Sequence, residues 1–196
     1  MTWIIVGLGN PGEDYEGTRH NTGRMAVEQF AKDNGLNEWK ENTAAKATIA
    51  KGTVAKNAVT LVLPDTFMNK SGNAVLKFVK SMKAAEKMVV VYDDLDLAIG
   101  KMKVSFDRGS GGHKGIESII RAVKTKKFTR VRIGISPTTA AGKLKKPQGE
   151  DEVGEFILAT FKPSEQTELK TVFKKASEAI ATTIAEGPGI AMNRFN

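Results

Sequence analysis

Cysteine is absent from this chain of 196 residues. Its absence excludes disulfide bridges, a thiol nucleophile and thiolate metal sites. Long apolar runs are also absent, so the sequence predicts neither a transmembrane helix nor, at Met1, a cleaved leader. A reducing compartment fits both absences, and we expect a cytoplasmic protein that does not enter a membrane.

Acidic residues are the minority charge: 30 Lys and Arg against 22 Asp and Glu give a net charge of +8. Such a balance favours a polyanionic partner, because cations that bind phosphates release condensed counterions. An ordinary solvated basic face has the same composition, so charge alone leaves both interpretations open. The lysines are scattered along the chain, apart from two clusters: Lys124, Lys126 and Lys127, and Lys143, Lys145 and Lys146.

Hydrophobic periodicity predicts alternating strands and helices. Short apolar or β-branched runs indicate strands at 3–8, 48–51, 58–63, 88–92, 102–106 and 129–135. Apolar residues at helical spacing indicate helices at 21–34, from a Ser71 cap to Met82, at 116–123, and from Ser164 to a stop at 187–189. The stretch 136–152 has no periodicity, which is typical of a long loop, functional or merely tolerated.

This alternation predicts an α/β fold: a single three-layer domain over residues 1–196, with helices on both faces of a sheet. The sheet is expected to be twisted, mixed and mostly parallel, with an antiparallel hairpin within residues 46–63. No internal repeat is apparent.

Glycines follow the first predicted strand. Gly7, Gly9 and Gly12 formally match the dinucleotide fingerprint G-x-G-x-x-G. Residues 12–18 do not continue as a helix, and no second strand ends in an acid at the required distance, so we reject that interpretation. The glycines instead allow a sharp turn that presents Asn10 at a strand's carboxyl end.

His20 stands at the predicted start of a helix, and two interpretations compete for it. It either caps the helix or acts as a general base, because imidazole titrates near neutral pH. The strand at 88–92 runs into Asp93, Asp94 and Asp96. These carboxylates suggest either an acid that orients a histidine or a magnesium cluster. The first hypothesis requires only Asp93 beside His20, whereas a magnesium site would need further ligands that the sequence does not identify.

Two common hydrolase signatures are missing. The chain has neither a G-x-S-x-G elbow nor an H-E-x-x-H helix, so a serine acyl-enzyme and a zinc-activated water are not expected. Water activated by His20 remains. The glycine-rich segment 109–115 precedes a helix, whose N-terminus is expected either to receive an anion or developing oxyanion or to form only a tight turn.

Five ordered motifs resemble the bacterial peptidyl-tRNA hydrolase family. They are G-L-G-N-P-G-x-x-Y-x-x-T-R-H-N at 7–21, T-F-M-N-x-S-G at 66–72, Y-D-D-L-D-L at 92–97, G-G-H-x-G at 111–115 and R-V-R-I-G-I at 130–135. The terminal M-N-R-F-N at 192–196 is similar to the family's usual ending. The matches span nearly the whole chain.

The resemblance implies hydrolysis of the ester between a peptide and the 3′-terminal ribose of tRNA, by a monomer without a cofactor. It implies that His20 is the catalytic base and Asp93 its partner. Substrate contacts to the peptide and the terminal nucleotide are implied for Asn10, Tyr15, Met68, Asn69, His113 and Lys114. The acceptor stem and 3′ end of the tRNA are the implied binding surface of the partner.

The chain departs from the family pattern at two places. Lys114 replaces the family's usual asparagine; a lysine donates hydrogen bonds but cannot accept one, and its charge would favour the tRNA end. The family's clamp for the 5′-phosphate of tRNA matches Arg132 on one side. Its other side falls near Ser105, which leaves Lys103 or Arg108 as substitutes.

Two other classes of function compete with the esterase. A non-catalytic RNA-binding protein explains the charge and the glycines, but it does not explain Asn10, His20 and Asp93 together at predicted strand ends. It also lacks the aromatic platforms that bind single-stranded RNA. A nucleotide enzyme on a doubly wound sheet is the third hypothesis, which cofactor absorbance or magnesium dependence would reveal.

Overall fold

Strand β1 (Trp3–Gly7) is buried at all five positions and forms the centre of the sheet. This computed structural model describes residues 2–196, so Met1 of the predicted domain lies outside the described residues. A strand buried on both faces is expected to be apolar throughout, as W-I-I-V-G is.

The sheet has seven strands in the order β2-β3-β4-β1-β5-β7-β6. The remaining strands are β2 (Lys40–Asn42), β3 (Ala47–Val54), β4 (Asn57–Pro64), β5 (Met88–Ala98), β6 (Met102–Phe106) and β7 (Thr129–Ser136). The central strands β4, β1, β5 and β7 are parallel, whereas β2, β3 and β6 pair antiparallel with their neighbours. The predicted mixed, mostly parallel sheet and the hairpin, formed by β3 and β4, are confirmed.

Helices cover both faces of the sheet, which confirms the three layers. They are α1 (Thr22–Asp33), α2 (Ser71–Val75), α3 (Met82–Ala85), α4 (Lys114–Val123), α5 (Glu150–Leu158), α6 (Pro163–Glu186) and α7 (Pro188–Phe195). One apolar core lies under α1 and α6 and contains Phe30 and Ile180. The other lies under α2 and α4 and contains Val75 and Ile119.

Four elements differ from the sequence prediction. The helix predicted from Ser71 to Met82 is shorter: α2 ends at Val75, and α3 begins only at Met82, so the residues between them are not helical. Ser71 is the first residue of α2 rather than its cap. Its hydroxyl donates to the Met68 carbonyl at 2.9 Å. The polar edge strand β2 was not predicted, nor were α7 and α5, whose first residues lie in the predicted loop 136–152.

The strand order brings three carboxyl ends together. The chain places β4 on one side of β1 and β5 on the other, so β1 lies at the point where the direction of winding changes. Ligands of open α/β sheets bind in the crevice at such a point. The start of α1 packs directly against β5 beside this crevice, because a Cβ on Gly23 would overlap the Val91 carbonyl oxygen. Glycine therefore allows the turn before α1 to lie against β5.

No helix among residues 2–196 is long and apolar enough to cross a membrane.

Candidate active site

His20 and Asp93 form a buried hydrogen-bonded pair. His20 lies in a short 3₁₀ turn (Arg19–Asn21) after β1, and its Nδ1 is 2.9 Å from Asp93 Oδ2 and 3.1 Å from Oδ1. Asp93 lies inside β5, which continues past the predicted end at Tyr92. The predicted contact between the two residues is present. A carboxylate accepts only, so Nδ1 donates and the Nε2 lone pair stays available.

His113 is the second donor to the same carboxylate. Its Nε2 lies 3.1 Å from Asp93 Oδ1, and the two imidazole rings are 5.1 Å apart between centroids. Its Nδ1 accepts from the backbone N–H groups of Gly115 and Ile116, so His113 caps α4. These two acceptor bonds keep His113 in the tautomer protonated at Nε2.

The capping changes two expectations about the glycine-rich segment 109–115. The N-terminus of α4 was expected either to receive an anion or developing oxyanion or to form only a tight turn. Two of its N–H groups already donate to His113, which favours the second alternative. His113 was expected to bind substrate, whereas both of its ring nitrogens are engaged within the protein. It lines the cleft, but its hydrogen bonds position Asp93 and α4.

The two histidines govern the charge of Asp93. Burial by itself raises the pKa of this carboxyl, yet His20 and His113 together hold that pKa well below its usual range. Burial lowers the pKa of His20, whereas Asp93 raises it by charge and by hydrogen bonding, and the net pKa lies above the ordinary 6.5. The nearby cation of Lys114 opposes this rise.

His20, Asp93 and His113 are also the residues that could gather around a metal ion, since their ligand atoms lie within 4.8 Å of one another. A metal on His113 Nε2 would require a proton on Nδ1, which faces two backbone N–H donors. The capping geometry therefore favours a hydrogen-bonded cluster, in agreement with the orienting role over the magnesium cluster. Asp94 and Asp96 instead pair with Arg132 and Lys146.

Asn10 is fixed by backbone hydrogen bonds. Its Oδ1 accepts from the Met68 N–H at 2.9 Å, which links the ends of β1 and β4. Asn21 holds the Asn10 backbone at both ends, accepting from its N–H at 2.8 Å and donating to its carbonyl at 3.0 Å. A backbone N–H only donates, so the Asn10 amide orientation is determined and its Nδ2 faces away from Met68.

The other predicted substrate residues differ in their exposure to solvent. Asn69 is exposed, and Tyr15 is half-buried with its ring edge-to-face against Phe67 at 6.3 Å. Met68 is only 5% exposed and packs in the apolar core, and it is not among the residues that line the cleft beside His20. Sequence reasoning missed Phe67, whose ring is 56% exposed beside Tyr15. It also missed Asn21.

A cleft of about 780 Å³ opens from His20 and is bordered by cations. Arg108, Lys114 and Arg132 line it, together with Lys146, which sequence reasoning placed only in a lysine cluster. Lys103 lies opposite Arg132 across the β6–β7 pair but is absent from the lining. Arg132 Nε is 2.6 Å from Asp94 Oδ2, so this guanidinium is oriented before any ligand binds.

A buried histidine–carboxylate pair, beside a cleft lined by both cations and carboxylates, agrees with the sequence comparisons. A family model described as peptidyl-tRNA hydrolase matches residues 4–196. The chain belongs to the peptidyl-tRNA hydrolase family. The family assignment made from the motifs, and the prediction of an enzyme, are confirmed.

Relatives in the peptidyl-tRNA hydrolase family match over nearly their full length. The peptidyl-tRNA hydrolase of Chloroflexus aggregans is 40% identical over 197 residues, covering 99% of this chain and 98% of the relative. That of Aquifex aeolicus is 38% identical over 194 residues, covering 98% and 95%. The crystal structure of peptidyl-tRNA hydrolase from Acinetobacter baumannii is similar with a TM-score of 0.87 at 31% identity, covering 100% of this chain and 94% of that chain.

Proposed function

We propose that this peptidyl-tRNA hydrolase family member cleaves the ester between peptide and tRNA with a water that His20 activates directly. The observation that carries the proposal is the contact between His20 Nδ1 and the Asp93 carboxylate, 2.9 Å long. His20 Nδ1 donates to Asp93, so its Nε2 has a lone pair at the cleft that accepts a proton from water. A covalent intermediate is not required.

The proposed reaction has two steps. His20 Nε2 takes a proton from water while the hydroxide adds to the ester carbonyl carbon, giving a tetrahedral oxyanion. The intermediate then collapses, the bond to the ribose 3′-oxygen breaks, and the His20 imidazolium returns its proton to that oxygen. Asp93 stabilises the imidazolium, because the two imidazoles that contact this carboxyl keep it ionised despite its burial.

Asn10 and Lys114 are the proposed donors to the oxyanion and the adjacent substrate carbonyls. Asn10 Oδ1 already accepts from Met68, so its Nδ2 is the group free to donate. A well-aimed donor contributes roughly 3 kcal/mol of transition-state stabilisation. Asn69, Tyr15 and Phe67 are exposed or half-exposed beside this point, where a terminal base and ribose would lie.

Selectivity for N-blocked substrates is proposed to follow from charge. The α-amine of plain aminoacyl-tRNA is cationic near neutral pH, whereas a peptide nitrogen is neutral. The second lone pair of Asn10 Oδ1 remains able to accept from a peptide N–H. Lys114 exerts a positive field on His20, and it would repel a free ammonium in the same space.

Deacylation assays in chelator test this proposal. N-acetyl-aminoacyl-tRNA and unblocked aminoacyl-tRNA would be incubated with the purified protein, and released tRNA measured. We expect release from the blocked substrate only, which would also show that no metal or cofactor is needed. Binding of tRNA without release would contradict the esterase and support the RNA-binding alternative.

We further propose that the protein is a cytoplasmic monomer. Light scattering of the purified chain would measure its mass in solution and so test the monomeric state.

Exchanging Lys114 for asparagine tests whether its charge acts on His20 and on the tRNA. Removing the cation should raise the pKa of His20 further, because the imidazolium loses a repulsive neighbour. The acidic limb of kcat/KM, already above pH 6.5, is expected to move to still higher pH. KM for tRNA substrates should rise. The slope of log KM against log salt concentration should fall by about the amount that one phosphate contact contributes. Unchanged kcat, KM and pH limb would contradict both effects.

Arg108 and Lys103 are the competing second sides of the 5′-phosphate clamp, and the structure favours Arg108 because it lines the cleft. We expect Arg108→Gln to raise KM for full-length N-acetyl-aminoacyl-tRNA, with Lys103→Gln as the matched exposed control. Neither change should affect a short aminoacyl-oligonucleotide without the 5′-phosphate. An effect of Lys103→Gln larger than that of Arg108→Gln would reverse the assignment.

A further inference from the structure

Arg19 is a buried cation immediately before His20. Only 4% of the residue is exposed, and its Nη2 lies 2.7 Å from Glu165 Oε2. The Nη1 atom donates to the carbonyl of Ala159, at 3.3 Å, and to that of Thr160. A planar guanidinium makes such a forked set of bonds, whereas an ammonium does not.

Aromatic rings and the backbone complete this attachment. The Arg19 guanidinium carbon lies 4.7 Å from the centre of the Phe156 ring and 4.9 Å from that of Phe161. Its backbone N–H also donates to the Ala159 carbonyl at 3.0 Å. The turn that carries His20 is therefore attached, through one residue, to the junction between α5 and α6.

The same junction belongs to a wall of the cleft. Val153, Gly154 and Ile157 of α5 line the cavity that opens from His20. Glu165 Oε2 accepts from the Lys162 N–H at 2.7 Å as well as pairing with Arg19. One carboxylate thus caps the start of α6 and holds Arg19, so the position of the α5 wall and the position of the His20 turn are mechanically linked.

We infer that Arg19 is a positioning residue for the reaction, holding the His20 ring in line with Asp93 and in register with the α5 wall of the cleft. This inference rests on the proposed role of His20 as the base. Arg19 does not line the cleft and acts only through its neighbour. The competing role is a buried ion pair that serves folding alone, because such pairs are costly to break yet contribute little net stability.

Arg19→Lys separates the two roles. Lysine keeps a positive charge for Glu165 but cannot bond two carbonyls and stack between two rings at once. We expect kcat on N-acetyl-aminoacyl-tRNA to fall between roughly 10- and 10²-fold, as displaced catalytic groups do, with little change in KM. Glu165→Gln should lower kcat in the same direction. Arg194→Lys is the matched control, since Arg194 pairs with Glu186 at the far end of α6.

NMR of the imidazole rings measures the position and titration of His20, which a loss of stability alone would not change. The chain has two histidines, so ¹⁵N-labelled rings give two assignable pairs of signals. In Arg19→Lys the His20 signals and their titration midpoint should shift from the wild-type values. A lowered melting temperature with wild-type kcat and unchanged His20 titration would overturn the inference. His20→Ala with full activity would instead refute the proposed function, so the two failures are distinguishable.

Discussion

His20→Ala is expected to lower kcat by about 10²–10⁴-fold while tRNA binding persists. The side chain lost is the one whose Nε2 faces the cleft, and the second imidazole cannot replace it. His113 Nε2 donates to Asp93 and its Nδ1 caps α4, so neither nitrogen is able to take a proton from water. Single-turnover deacylation of N-acetyl-aminoacyl-tRNA measures the loss, and filter binding of the tRNA measures what remains.

The His20→Ala variant is also a test of fold integrity. His20 packs in a buried turn, so circular dichroism and the melting temperature should accompany the kinetics. A folded variant that binds tRNA and deacylates within a few fold of wild type would exclude His20 as the base. Attention would then move to a water held by Asn10 and Lys114.

Asp93→Asn is expected to cause a comparable loss through a change of tautomer rather than a loss of the base. An asparagine offers one acceptor and one donor where the carboxylate accepted from both histidines. His113 cannot change its tautomer without breaking its cap on α4. The amide oxygen should therefore face His113, and the amide N–H should face His20 Nδ1.

His20 would then carry its proton on Nε2, where water must be deprotonated. In a comparable histidine–carboxylate pair the wrong tautomer lowers kcat by about 10⁴-fold with the geometry intact. The ¹⁵N shifts of the His20 ring should show the exchange of protonated nitrogens directly. Asp33→Asn, on the exposed side of α1, makes the same chemical change away from the site and should leave kcat and both imidazoles unchanged. A normal His20 tautomer with normal kcat in Asp93→Asn would contradict the mechanism.

Strong local signals account for the parts of the fold that were predictable from sequence. The six predicted strands are apolar or β-branched runs, and each lies within an observed strand or within one residue of it. Strand β2 has the sequence K-E-N and is visible only through its pairing with β3, so no local pattern indicates it. Helix α5 has no buried residue, which explains why periodicity did not separate it from the loop before it.

The residues of the candidate site also differ in whether the local sequence indicates them or only tertiary contacts do. Asn10 and Asp93 were identifiable because they directly follow a glycine turn and a predicted apolar strand, and His20 because it stands at the predicted start of a helix. Arg19 and Asn21 flank His20 in the chain, yet their roles depend on Thr160, Glu165 and the Asn10 backbone, which tertiary packing brings to them. Met68 belongs to the motif yet lies in the core, because a motif reports which residues are near the site, not which way a side chain points.

The sequence by itself determined the α/β class, the family and the identity of the histidine–aspartate pair. These properties follow from hydrophobic periodicity and from the ordered motifs, both of which are local along the chain. Only the tertiary structure decided which nitrogen of each histidine contacts Asp93, that His113 contacts both Asp93 and the start of α4, and that Arg19 joins the His20 turn to the cleft wall. Hydrogen-bond partners determine a tautomer, and His20 and Asp93 lie 73 residues apart in the chain. Arg19 and Glu165 lie 146 residues apart.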